Sequence, residues 1–202
     1  MNKKLIFLIC IAGLLTPLSL SWGENYGFRN SKWGMTREEV TTLEVKMDPV
    51  EVNKNTIRYK TQILGRNVEL IYLFSQNKLA GAAYRLDDNY LNSNHFLNTY
   101  RQFTAALTQK YGPPGEEKIN WLNDKFKNEN QKRGLALSLG HTEYFASWET
   151  ASSIISTILK EKNHDVLCLI EYRGKGYPYM PIVNKLVPLR EIDAGQVSEP
   201  EG

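Results

Sequence analysis

At 202 residues, with 25 Lys and Arg against 22 Asp and Glu, the chain is close to neutral, at a formal +3. That balance excludes a nucleic-acid binder that works by neutralising many phosphates. Two cysteines exclude a disulfide scaffold, so stability must come from packing; a single domain of this size buries about 70% of its unfolded surface.

The chain opens Met1-Asn2-Lys3-Lys4 and then runs apolar from Leu5 to Leu20. A short cationic head before an apolar run has the form of a secretory signal. Ser21 and Gly23 are small residues suited to a cut after Gly23, so residues 1–23 are expected to be removed. The alternative is an uncleaved anchor. Gly13 and Pro17 interrupt the run, however, and it is shorter than the roughly 20 apolar residues a spanning helix needs, so no stable span is expected after cleavage. Losing Lys3 and Lys4 takes the charge from +3 to +1. Losing Cys10 leaves Cys168 alone. An exported chain without a disulfide suits a bacterial periplasm.

Residues 24–32 read as an entry segment with a short edge strand through Tyr26 and Phe28. Thr36 and Glu39 then form a capping box, and Met35 and Val40 stand as a hydrophobic staple. A helix is expected from Arg37 to about Glu44, with Val40 and Leu43 inward and Trp33 packed beneath it, the alternative for Trp33 being an exposed binding aromatic. Residues 56–64 alternate cleanly: Ile57, Tyr59, Thr61 and Ile63 face one way, and Arg58, Lys60 and Gln62 face water. Residues 68–74 are apolar on both faces, as in a central strand covered on both sides or one whose outer face meets a partner. A third strand spans 79–86, where Ala80-Gly81-Ala82-Ala83 is smooth enough for a helix to approach closely. Asp87-Asp88-Asn89 reads as a solvated turn, without the further ligands of a calcium loop.

Asn94 to Tyr111 is the strongest signal. Phe96, Tyr100, Phe103, Leu107 and Tyr111 fall on one helical stripe. Asn92, Ser93 or Asn94 can cap the start, and Gly112-Pro113 stops the helix. Residues 116–134 read as a polar, irregular, charge-rich loop or ribbon carrying Trp121, with a basic, aromatic-bearing contact surface as the alternative. Strands are expected at 135–139, 142–150, 153–161 and 166–173. Beyond Gly174 the chain changes character, with an extended stretch through Tyr177, Pro178 and Tyr179 and a C-terminal end of disordered composition.

The expected fold is α+β: an antiparallel sheet of about six strands with two helices on one face, and a duplicated helix-plus-three-strand module as the finer reading. One domain is expected over 24–175, in halves 24–91 and 92–175, followed by a tail over 176–202. Two small domains divided near Asn92 are the alternative.

Gly34-Met35-Thr36-Arg37-Glu38-Glu39-Val40 resembles the helix start of small periplasmic proteins of the SmpA/OmlA type and of the β-lactamase-inhibitor-protein-like group. The strand Tyr72-Leu73-Phe74, its polar turn and Lys78-Leu79 look like the same module, so the resemblance covers residues 33–86. It implies an exported α+β protein that binds other proteins and catalyses nothing. The SmpA/OmlA type is lipid-anchored, whereas this chain has no lipid-attachment cysteine and its second half lacks the Gly-Met-Thr motif. No functional residue transfers.

Candidate chemistry is sparse. His95, His141 and His164 lack metal-ligand spacing. Cys168 sits in an apolar strand, where a thiol is inert. There is no nucleophile elbow and no phosphate loop, and Glu116-Glu117 are adjacent rather than opposed across a cleft. No catalytic residue, metal or cofactor is expected. The reading is a periplasmic protein-binding or scaffolding module whose partner is another envelope protein, with Trp121, Tyr177 and Tyr179 as candidate contacts. The alternatives are a cell-envelope hydrolase using loop carboxylates, and a carrier of a small apolar ligand. Nothing in the sequence sets an oligomeric state.

Overall fold

A computed structural model describes residues 27–178. The expected signal (1–23), most of the tail and Tyr179 lie outside them. The described chain is mixed helix and sheet. Helix α1 (Arg37–Leu43) is followed by β1 (Glu51–Val52), β2 (Thr56–Ile63), β3 (Arg66–Ser75) and β4 (Lys78–Leu86). Helix α2 (Asn94–Tyr111) is followed by β5 (Glu116–Trp121), α3 (Arg133–Ser138), β6 (Thr142–Glu149), β7 (Ser153–Lys162) and β8 (Asp165–Gly174). The strands form one antiparallel sheet in the order β1-β2-β3-β4-β8-β7-β6-β5. Each half is therefore a helix and a four-strand meander, and the halves meet through their last strands. That makes eight strands rather than six and three helices rather than two among the described residues.

The register explains which residues are inside. One lateral row runs Ile57–Tyr72–Ala82–Tyr172–Ile155–Trp148 from β2 to β6. All six belong to the main core cluster, which also takes Val40 from α1, five residues of α2 and Leu137 from α3. The large buried apolar residues of all three helices thus cover one face of the sheet. The opposite face has its own buried cluster, Ile71, Leu73, Ala83, Leu167 and Leu169, so residues 68–74 are covered on both sides, as their apolar run implies.

Local chemistry sets the helices. The Thr36 hydroxyl accepts from the Glu39 N–H at 3.3 Å, and the Glu39 carboxylate accepts from the Thr36 N–H at 2.7 Å, closing the capping box. Those bonds hold the Glu39 carboxyl below the usual range. Val40 is buried as expected, but Leu43 is 40% exposed. The next residue turns in instead. Glu44 accepts from the Tyr72 hydroxyl and pairs with Arg29 at 2.9 Å. A carboxylate with two donors waiting outcompetes a leucine at the end of a seven-residue helix.

In α2, Asn92 caps the Asn94 N–H at 3.0 Å, and Gly112 ends the helix with φ at 85°, donating to the Thr108 carbonyl. Phe96, Tyr100, Phe103 and Leu107 are buried and Tyr111 is half-buried. The helix packs chiefly on β7 and β8 rather than on the small residues of β4.

Two further expectations are corrected and two are refined. Residues 135–139 are not a strand: 133–138 form α3, with Ala136 and Leu137 inside and Leu135 and Leu139 exposed. Gly134 permits this, because a Cβ there would lie 2.6 Å from the Asn94 side chain. Within the expected loop or ribbon, residues 116–121 form a strand. The Trp33 ring lies against Gly27 and Gly174, where a Cβ would fall 2.4 and 2.7 Å away, and its indole N–H donates to Ser153 Oγ at 2.9 Å. Arg58 is not wet: it is buried beside Glu51, 3.0 Å away.

Candidate functional site

Strand β5 is the outermost strand of the sheet among the described residues. It is exposed along nearly its whole length, because it has a neighbour on one side only and Glu116, Glu117, Lys118 and Asn120 need no burial. Its register with β6 pairs Trp121 with Thr142 and Ile119 with Tyr144. Just past the strand, the Leu122 N–H donates to the His141 carbonyl at 2.8 Å. Antiparallel ladders alternate inward and outward backbone groups. Asn120 and Lys118 therefore point theirs at β6, as Leu122 does, while Trp121, Ile119 and Glu117 point theirs into open space.

Beside this edge lies a groove. On the helix-covered side, α2, the start of α3, β5 and β6 enclose two adjoining hollows of about 160 and 250 Å³. Leu97, Arg101 and Arg133 line both. Tyr100 and Tyr144 form part of the first floor, their rings 5.8 Å apart. The segment that closes the far side is anchored by Phe126, which is buried, stacked on His141 at 5.6 Å and flanked by the ammonium groups of Lys125 and Lys132 at 5.4 Å.

The groove's electrostatics are unbalanced. Three nearby lysines are paired: Lys118 with Glu116 at 2.8 Å, Lys127 with Asp124 at 3.1 Å and Lys132 with Glu129 at 2.6 Å. Arg101 and Arg133 have no carboxylate partner among the described residues; Arg101 reaches only Asn98 Oδ1, at 3.3 Å. Tyr144 is 6% exposed, and the Arg133 Nε is buried without a hydrogen bond. Burial pushes the Tyr144 phenol up, while the positive charges of Arg133 and Arg101 and a hydrogen bond with Thr142 pull the other way. Two guanidinium groups that line one groove without a carboxylate partner mark a place suited to an anionic acceptor. Glu117 is the one acidic side chain lining the groove.

A second polar cluster lies where the halves meet. Arg29 holds Glu44, with Tyr72 and Tyr84 completing the set, next to a cleft of about 160 Å³ lined also by Lys110, Tyr111 and Tyr172. Its charges are matched internally, which suits a structural clasp.

Of the sequence candidates, Trp121 stands half-buried at the end of β5 beside the groove. Tyr177 lies at the other end of the strands, its hydroxyl donating to the Trp33 carbonyl at 3.1 Å and its ring against Gly34. The two are not brought together, and Tyr179 lies outside the described residues. His95 and His164 are exposed and Cys168 is buried. Among the described residues no three His, Cys, Asp or Glu are grouped to hold a metal, and no helix is long and apolar enough to cross a membrane. Arg101, Arg133 and Tyr144 carried no motif; the signal they share is proximity, which only the fold creates.

No family model matches the chain, and no curated protein or solved structure matches it either.

Proposed function

We propose that the protein is an exported, non-enzymatic binding module of the cell envelope, and that it takes an extended segment of another envelope protein onto the free edge of β5. The observation that carries this is the outward backbone of Glu117, Ile119 and Trp121 on an exposed six-residue strand. Unpaired strand edges are templates for another chain, and strand addition is a common mode of protein recognition. The opposite edge, β1, has two residues and offers far less. Export rests on the cationic head and apolar run of residues 1–20. The likeness of residues 33–86 to the SmpA/OmlA-type and β-lactamase-inhibitor-protein-like modules agrees with a binding role. The finer reading, a duplicated module, is supported by the matching order of helix and meander in the two halves.

The test is a proline at residue 119. Proline removes an outward N–H and no ladder bond, a position where edge strands tolerate it. In a crosslinking pull-down from envelope extract, the wild-type protein is expected to retain a stoichiometric partner, and Ile119→Pro is expected to lose it with an unchanged thermal melt. Retention of the same partner by both, or of none by either, would contradict the reading.

A further inference from the structure

The docked segment has a recognisable chemistry. Residues directly opposite in an antiparallel pair point their side chains to the same face. Ile119 shares a face with Tyr144, its partner in β6. A residue of an added strand facing Ile119 or Glu117, about 4.8 Å outward, therefore projects its side chain over the groove that Arg101, Arg133 and Tyr144 line. We infer that this groove is a carboxylate site: it receives a Glu or Asp side chain of the docked segment, and so selects acidic extended sequences. The inference rests on the edge-docking reading above.

Two features support it. Guanidinium groups are suited to carboxylates because they present several donors in a plane. Two of them here line the groove and lack an acidic partner among the described residues, whereas Lys118, which also lines it, pairs with Glu116. Glu117 is the opposing group: its negative charge beside the groove weakens an incoming carboxylate, so Glu117→Gln should strengthen binding.

The experiment uses the full chain and two short fluorescein-labelled peptides, one alternating threonine and glutamate, the other threonine and glutamine, with affinity read by anisotropy at low ionic strength. The glutamate peptide is expected to bind about tenfold tighter or better, in line with charge-assisted hydrogen bonds, and salt should narrow the difference. Arg101 is exposed on α2, so Arg101→Ala should melt normally. It should abolish the difference while leaving the glutamine peptide's affinity unchanged. Arg133→Gln should do the same, and Ile119→Pro should abolish binding of both peptides. Equal affinity for the two peptides in the wild type, or a difference that survives Arg101→Ala, overturns the carboxylate site and leaves edge docking standing. Binding that survives Ile119→Pro overturns edge docking. Failure of both peptides to bind overturns both.

Discussion

Replacing Phe103 with alanine is expected to cost about 4 kcal/mol of folding free energy, the middle of the range for burying nothing where a core phenylalanine stood. Phe103 is fully buried at the centre of the α2 stripe, in the cluster that also holds Leu70, Tyr72, Ile155 and Leu159. It thus belongs to a core drawn from both halves. Removing it leaves a cavity that a rigid sheet cannot close by collapse, so the cost should lie well above the lost transfer free energy alone. For a chain of this size that amounts to a fall of roughly 10 °C or more in Tm. Urea unfolding followed by tryptophan fluorescence reads it. Phe103→Leu should cost clearly less, because most of the volume stays. A loss below about 1 kcal/mol for Phe103→Ala would mean that α2 is not the keystone of the core.

The second large effect lies on the other face of the sheet. Glu69 is wholly buried, and its carboxylate sits 2.7 Å from the guanidinium of Arg85, directly opposite in β4. The contact is close but off-axis, and neither Glu69 oxygen gains a well-directed hydrogen bond. The two charges thus depend on each other among Ile71, Ala83 and Leu169. Glu69→Ala strands the guanidinium, a loss expected at about 3–5 kcal/mol. The double replacement Glu69→Leu with Arg85→Met should recover most of it, because a matched apolar pair carries no desolvation penalty. Equilibrium unfolding of the single and double variants forms the check. A double variant no better than Glu69→Ala would show that the loss was packing rather than stranded charge.

What could be read from the residue order was whatever repeated at short range. The α2 stripe, the α1 capping box and the two-sided apolar run of β3 all announce themselves within a turn or a few residues, and all stand in the fold, whereas the alternation of β2 holds only in its second half. The misses share a cause. Leu135, Leu137 and Leu139 alternate like a strand, but docking of Gly134 on Asn94 favours a helix that buries neighbours 136 and 137. Strand β5 buries neither face, so it leaves no hydrophobic pattern. Glu44 displaces Leu43 from the core because Arg29 and Tyr72 reach it across the chain. The groove is the extreme case. Arg101, Arg133 and Tyr144 lie on α2, α3 and β6, and nothing short-range ties them together before α3 lands on α2.

Backbone hydrogen exchange along β5 probes the central claim, that this edge is built to be occupied, most directly. In the free protein the amides of Glu117, Ile119 and Trp121 should exchange fast while those of Lys118, Asn120 and Leu122 are protected by β6. On adding the glutamate peptide or the captured partner, the three fast amides should become protected, with the rest of the sheet unchanged. Amides already slow in the free protein, or still fast in the complex, would contradict the account.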